Sequence, residues 1–210
     1  MIRTPLHARL VAAGILASTM LLSACAPLIV GGAMAGTAMV ATDRRTTGMQ
    51  LEDQSIELKA QNRVREVLGE RGRVSVTSYN RIALMTGEVA SEADKAAAEQ
   101  AVSRVENLRS VVNELAILAP SSFTSRSNDV ILAGKVKASF VDAKDLQANA
   151  FKVVADRGAI YLMGRVTERE ANRATEIART VSGVLKVVKV FELVSEEELA
   201  DKAPRPLPNK

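Results

Sequence analysis

The chain carries the stretch LMGRVTEREANRATEIARTVSGVLKVVKVF from Leu162 to Phe191, and the similar stretch MTGEVASEADKAAAEQAVSRVENLRSVVNEL from Met85 to Leu115. Gly87 aligns with Gly164 at an offset of 77, whereas the apolar positions that follow align at an offset of 76. One residue is therefore missing from the second stretch, between the glycine and the helix. Similarity at a fixed internal spacing is typical of a repeated structural unit. The sequence predicts two copies of one module.

Each copy shows the same order of secondary structure signals. In the second copy, Ala174, Ile177, Ala178 and Val181 have the spacing of one apolar helix face. Thr167-x-x-Glu170 before this helix is a capping box, and Ser91 with Asp94 is a weaker version in the first copy. Gly183 and Asn107 stand where a left-handed residue is expected after each helix.

The remaining elements of each copy are a first helix, a hairpin and a last strand. The first helices are expected near Leu51–Leu68 and Asp129–Val141, and the last strands near Leu108–Leu118 and Val184–Phe191. Hairpin turns are expected near Asn80 and at Asp156-Arg157-Gly158. The predicted fold class is α+β. Each module is a small three-stranded mixed sheet packed against two helices, in the order helix-strand-strand-helix-strand.

The N-terminus has the pattern of an export signal. Arg3 and Arg9 precede the uncharged run Leu10–Leu22, which would reach only about 20 Å as a helix. The run leads into Leu22-Ser23-Ala24-Cys25, which resembles a bacterial lipobox and implies lipidation of Cys25. Residue 26 is Ala, whereas Asp there favours the inner membrane in lipoproteins of this kind, so the resemblance implies the outer membrane, on its periplasmic face. The alternative is an uncleaved transmembrane helix, because no charged residue occurs between Leu10 and Thr42.

The composition argues against an enzyme. The single His and the single Cys are His7 and Cys25, both within the predicted signal and lipidation segment. The mature chain then has no imidazole or thiol for catalysis, and we expect no catalytic residues, no metal site and no cofactor. Export also excludes nucleic acid as a partner.

The domain boundaries follow from these patterns. We expect a lipoprotein signal peptide at 1–24 and a lipidated tether at 25–47. The first module then spans 48–119, a linker 120–126, the second module 127–195 and a disordered tail 196–210. The first module carries 9 Lys and Arg against 11 Asp and Glu, whereas residues 126–195 carry 12 against 8. The second module is therefore the one suited to an anionic partner.

The repeated pattern resembles a known family. Ile160-x-Leu162-x-Gly164-x-Val166, a capped helix and then Val184-x-x-Val187 are similar to the BON domain (bacterial OsmY and nodulation). Two such modules behind a lipobox resemble the dual-BON outer-membrane lipoproteins of the DolP type. The resemblance implies a non-enzymatic protein that binds anionic phospholipid through its second module and supports outer-membrane integrity.

The resemblance also implies where the lipid site lies. It falls on the first helix of the second module, with Ile131, Lys135 and Lys137 as the expected phospholipid-binding residues. Related proteins have Trp at the position of Ile131, and in the alternative interpretation Ile131 packs inward while the lysines are solvated. The alternative function is a periplasmic protein-interaction adaptor whose partners belong to outer-membrane protein assembly.

Overall fold

A computed structural model describes residues 43–201 of the chain. The predicted signal peptide, the lipidation site Cys25, most of the tether and the end of the tail lie outside the described residues. None of the described helices is long and apolar enough to cross a membrane. The two predicted modules are both present, and the sequence order of their elements is confirmed.

The first module contains two long helices and a four-stranded sheet. Its elements are α1 (Thr47–Leu68), β1 (Gly72–Tyr79), β2 (Ile82–Val89), α2 (Glu92–Ser103), β3 (Ser110–Asn113) and β4 (Ala116–Ile117). β1 pairs antiparallel with β2, whereas β3 and β4 pair parallel with β2. The sheet is therefore mixed, as the sequence predicts. The helices pack against one face of it through Ile56, Val64 and Val102, all of which are buried.

The second module repeats this arrangement. Its elements are α3 (Phe123–Asp142), a short 3-10 turn (Ala148–Ala150), β5 (Phe151–Asp156), β6 (Ala159–Val166), α4 (Glu168–Thr180) and β7 (Lys186–Leu193). β5 pairs antiparallel and β7 parallel with the central strand β6. The core between helices and sheet includes Leu132, Val136 and Phe140 of α3.

The predicted caps and turns are present. The Thr167 side chain and the Glu170 side chain form the complete capping box of α4, and Ser91 caps α2 by accepting from Asp94 N–H. Asn107 and Gly183 both have positive φ, at 63° and 100°. They lie a few residues beyond the helix ends rather than directly at them.

Three boundaries differ from the sequence expectation. α3 begins at Phe123, inside the stretch 120–126 that was expected to be a linker, because Ser122 accepts from Ser125 N–H and caps the helix. The expected strand Leu108–Leu118 is two strands, β3 and β4, with a break between them. The stretch expected to be a disordered tail begins with a short helix α5 (Glu196–Asp201).

The two sheets face each other, and a third apolar cluster fills the space between them. Its buried members come from both modules: Tyr79, Leu84, Tyr161, Met163 and Val190. Burial, together with the nearby charge of Glu114, raises the pKa of Tyr161 to about 12, so its hydroxyl stays protonated within this seam. Ion pairs between the modules surround the cluster: Arg109–Glu192, Lys152–Glu57 and Lys186–Glu114. The layers of this part of the chain therefore run helix, sheet, sheet, helix.

Candidate functional site

Helix α3 lies on the outside of the second module, with one face against the sheet. Its inward side chains Leu132, Val136 and Phe140 follow one another at intervals of four residues and are buried. The Phe140 ring packs against the Phe151 ring of β5, with centroids 5.2 Å apart. These contacts fix the rotation of the helix and so determine which residues point away from the protein.

The outward face of α3 is apolar. Phe123 is 75% exposed, Val130 74%, Ile131 57% and Val141 66%. At about 100° per residue these four side chains fall within one side of the helix, which we call the apolar stripe. Ile131 does not pack inward, so the alternative that placed it in the core is wrong. A row of exposed apolar side chains along one side of a helix is typical of an interaction site.

The first module provides an internal comparison. α1 aligns with α3 at an offset of 76, which pairs the buried residues Ile56 with Leu132 and Ala60 with Val136. At the same offset, the stripe residues correspond to polar side chains in α1: Thr47, Gln54, Ser55 and Arg65. The two helices therefore differ at these four positions, although α1 exposes Leu51 and Leu58 at positions that are Ser127 and Gly134 in α3.

The two lysines predicted for the site have different surroundings. Lys135 is exposed, one helical turn beyond Ile131. The Lys137 ammonium is partly buried and donates to the carbonyls of Ala148 and Phe151, at 2.5 and 2.9 Å. The structure thus brings Ile131 and Lys135 together and directs Lys137 toward the backbone of its own module.

A depression of about 310 Å³ lies beside Ile131 and Lys135. The rest of its lining is mostly polar and comes from α3 and from the two turns next to it: Ser125, Asn128, Asp129, Leu132, Arg157, Gly158, Ser182 and Gly183. Lys135 supplies positive charge and the hydroxyls of Ser125 and Ser182 supply hydrogen-bond donors, whereas the Arg157 guanidinium pairs with Asp156 and Glu88. A concave polar surface next to an apolar stripe can hold a polar headgroup while the stripe contacts hydrocarbon.

Sequence reasoning missed three members of the stripe. Phe123 was assigned to the linker because Pro120-Ser121-Ser122 has the composition of a loop. Val130 and Val141 lie within the expected helix Asp129–Val141, and the period of the buried residues Leu132 and Val136 places both on the outer face. The same periodicity that identifies the buried face of α3 therefore also identifies these two exposed positions.

No group of three or more His, Cys, Asp or Glu side chains that could hold a metal ion occurs among residues 43–201. Two carboxylates near the apolar stripe have partners within the protein. Asp129 accepts from the N–H groups of Arg157 and Gly158, and Asp145 pairs with Arg173 at 2.8 Å. Both carboxylates therefore have structural partners within the second module.

Comparison with known proteins agrees with the fold and the duplication. The BON domain matches residues 53–119 and again residues 128–195. The chain is 39% identical over 181 residues to outer membrane lipoprotein DolP of Haemophilus influenzae, which covers 85% of this chain and 93% of that protein. It is 27% identical over 154 residues to a 21 kDa hemolysin of Actinobacillus pleuropneumoniae, covering 72% of this chain and 79% of that protein.

Among solved structures, the C-terminal domain of CdsD, a structural protein of the type III secretion system of Chlamydia trachomatis, matches 64% of this chain and 96% of its own length. The identity is 10% and the TM-score is 0.28, too low for any conclusion.

The chain belongs to the BON domain family, with two modules in tandem. Within that family it is a lipoprotein of the DolP type, associated with the outer membrane. The expectation of a non-enzymatic protein is confirmed by this membership.

Proposed function

We propose that the second module binds anionic phospholipid through the apolar stripe of α3 and the adjoining Lys135, and that this contact supports the integrity of the outer membrane. The observation that carries the proposal is the row of four exposed apolar side chains on α3, at positions that are polar in α1. A membrane interface accepts such a surface because side chains of this kind enter the boundary between headgroups and acyl chains.

The apolar stripe and the charge make different contributions. Apolar surface removed from water stabilises the bound state by about 25 cal/mol per Å², so the stripe supplies most of the affinity. A basic side chain near an anionic surface contributes about 1 kcal/mol and falls off within a Debye length. Lys135 therefore selects for headgroup charge, while the stripe determines whether the helix binds at all.

The proposal includes an anchor at Cys25 on the periplasmic face of the outer membrane. Acyl chains on this residue would hold the protein at the membrane, since two or more chains anchor stably where one binds only marginally. The tether from Cys25 to Arg44 can extend at most about 65 Å, given about 3.4 Å per residue. In this arrangement the anchor sets the compartment, and α3 responds to the local lipid composition.

Liposome sedimentation tests the proposal with residues 43–210, which contain every residue of the three cores. Liposomes with phosphatidylglycerol are compared with purely zwitterionic ones, at low and high salt. We expect binding to the anionic liposomes that salt weakens. Ile131→Glu should abolish it. Lys135→Glu should reduce it about thirtyfold, because loss and reversal of a charge worth about 1 kcal/mol weaken binding by about 2 kcal/mol.

The first module offers matched controls. Leu58 is 69% exposed on α1, and Lys59 corresponds to Lys135 at the offset of 76. Leu58→Glu and Lys59→Glu make the same chemical changes outside the apolar stripe and should leave binding unchanged. If the wild-type protein fails to sediment with anionic liposomes at low salt, the lipid proposal is wrong. The exposed stripe is then a protein-binding surface, which is the alternative adaptor function.

A further inference from the structure

Arg44, just before α1, is bound to the second module. Its guanidinium donates to both carboxylate oxygens of Glu170, each at 2.7 Å, and to the carbonyl of Arg165 at 3.0 Å. It also donates twice to Oε1 of Gln147, at 3.2 and 3.0 Å. The Arg44 side chain is 15% exposed and that of Glu170 is 6% exposed. A bidentate salt bridge of this kind, largely shielded from water, is among the strongest contacts that an arginine makes.

The next residue, Arg45, is bound to the first module. Its Nη1 donates to Asp53 Oδ2 at 2.8 Å, and its guanidinium carbon lies 4.2 Å from the centroid of the Tyr79 ring. Asp53 is itself held by Ser78 Oγ at 2.7 Å. Arg45 thus joins the buried polar cluster that closes the hairpin end of the first module.

Two consecutive residues therefore reach two different modules. Their Cα atoms are only about 3.8 Å apart, so Glu170 of α4 and Asp53 of α1 are linked across the seam by one dipeptide. Lysine could not replace either arginine, because an ammonium provides neither the planar fork toward Glu170 nor the same stacking on Tyr79.

We infer that Arg44-Arg45 is a clasp that fixes the arrangement of the two modules and makes the seam between them the point from which the N-terminal segment departs. A pulling force on the chain N-terminal to Arg44 is therefore transmitted to both modules, through Arg44 to the second and through Arg45 to the first. The inference does not rest on lipid binding and stands or fails independently of it.

Trypsin provides a direct test, because it cleaves after exposed arginines in mobile backbone. The full chain is purified in detergent, and the products at Arg44 and Arg45 are quantified by mass spectrometry. We expect slow cleavage at both positions in the wild-type protein. Arg44→Gln should accelerate cleavage after Arg45 at least about tenfold, because the backbone must open locally before it can be cut.

Two further variants separate the halves of the clasp. In Arg45→Gln the bonds from Arg44 to Glu170 remain. Cleavage after Arg44 in this variant should therefore be accelerated less than cleavage after Arg45 is in Arg44→Gln. Gln147→Ala removes one clasp partner from an exposed side chain, so folding is not at risk, and should give a smaller acceleration at both sites. Arg65→Gln is the control, because Arg65 is exposed on α1 and its side chain bonds to Asn62 of the same helix.

Hydrogen exchange in β2 and β6 reports on the seam in the same samples. Arg44→Gln should increase exchange in both central strands, whereas Arg65→Gln should not. The inference is overturned if the wild-type chain is cleaved after Arg45 as fast as an unstructured peptide with the same sequence. It is also overturned if Arg44→Gln changes neither the cleavage nor the exchange.

Discussion

Asp53 and Asp129, 76 residues apart, occupy equivalent positions in the two modules and accept hydrogen bonds from equivalent hairpin turns. Asp53 accepts from the N–H groups of Asn80 and Arg81, each at 2.8 Å, and Asp129 accepts from those of Arg157 and Gly158, each at 2.9 Å. All four turn residues have positive φ. In each module, then, a carboxylate on the first helix holds the hairpin turn in a left-handed conformation and ties helix to sheet.

Removing this carboxylate should destabilise the module. Asp129→Ala leaves two N–H donors of a tight turn without their partner, at a cost of about 2–4 kcal/mol in the free energy of unfolding. Urea denaturation followed by circular dichroism measures the loss. Asp142→Ala, on the exposed end of the same helix, is the control and should change the free energy by less than about 0.5 kcal/mol. Equal effects of the two substitutions would show that the turn does not depend on Asp129.

Two glycines should respond to alanine with opposite signs. Gly87 has φ +118°, and a Cβ there would lie 2.0 Å from the carbonyl oxygen of Arg73. Gly87→Ala should therefore cost at least about 1–3 kcal/mol through backbone strain. At Gly134, on the outer face of α3, a Cβ meets no atom within 4 Å, so Gly134→Ala should stabilise the protein by about 0.5–1 kcal/mol. Thermal unfolding of both variants decides the signs, and a destabilised Gly134→Ala would contradict the open surface seen there.

Lys135 and Lys137 should separate binding from stability. Lys137→Ala leaves the carbonyls of Ala148 and Phe151 without their donor, so we expect a loss of about 1–3 kcal/mol in stability with little change in liposome binding per folded molecule. Lys135→Ala should weaken anionic liposome binding about fivefold at low salt without affecting the melting temperature. The pair of measurements, sedimentation and thermal unfolding, would refute this division of roles if Lys137→Ala weakened binding as much as Lys135→Ala.

The clasp should be visible in the titration of Glu170. Burial alone would raise the pKa of this carboxyl, but the hydrogen bond and charge of Arg44 and the Thr167 N–H outweigh it and hold the pKa below its usual range. A depressed pKa contributes stability that is present above the unfolded-state value of about 4.3 and is lost as the pH falls through the folded-state value. Carboxyl-detected NMR should show the low pKa in the wild-type protein.

In Arg44→Gln the burial of Glu170 remains while the compensating charge is gone. The pKa of Glu170 should then rise, and the variant should lose less stability than the wild type as the pH is lowered below about 4.3. Arg65→Gln again serves as the reference. An unchanged Glu170 pKa in Arg44→Gln would show that the ion pair does not persist in solution.

The local structure of each module could be predicted from the sequence, because its signals are local. Thr167 and Glu170 form a capping box at the expected spacing, and the turn at Arg157-Gly158 has the residues that positive φ requires. The start of α3 could not be predicted because a serine such as Ser122 is common both in loops and at the N-cap of a helix. Serine is favoured in both places, and only the bond to Ser125 N–H decides between them.

The contact between the modules could not be predicted in the same way. Leu84 and Met163 face the opposite sheet, but in the sequence they are simply members of apolar runs in β2 and β6. A strand that is buried on both faces has no alternation of apolar and polar residues. The sequence then does not show which face meets the helices and which meets the other sheet. The contacts of Lys137 with the carbonyls of Ala148 and Phe151 could not be predicted either, because helical periodicity places its Cα but does not show where a flexible four-carbon stem directs the ammonium.

The sheet-to-sheet contact has a consequence for how the two copies can change. One face of each sheet packs against the sheet of the other module. A substitution at Leu84 or Met163 must therefore be compatible with the packing of both modules. The outward sides of α1 and α3 do not pack against the other module, so substitutions there are free of this constraint. Ser55 and Ile131 occupy the same position in the repeat, yet one is polar and the other apolar. The duplicated protein can therefore acquire a new binding specificity on one helix while the shared interior stays as it was.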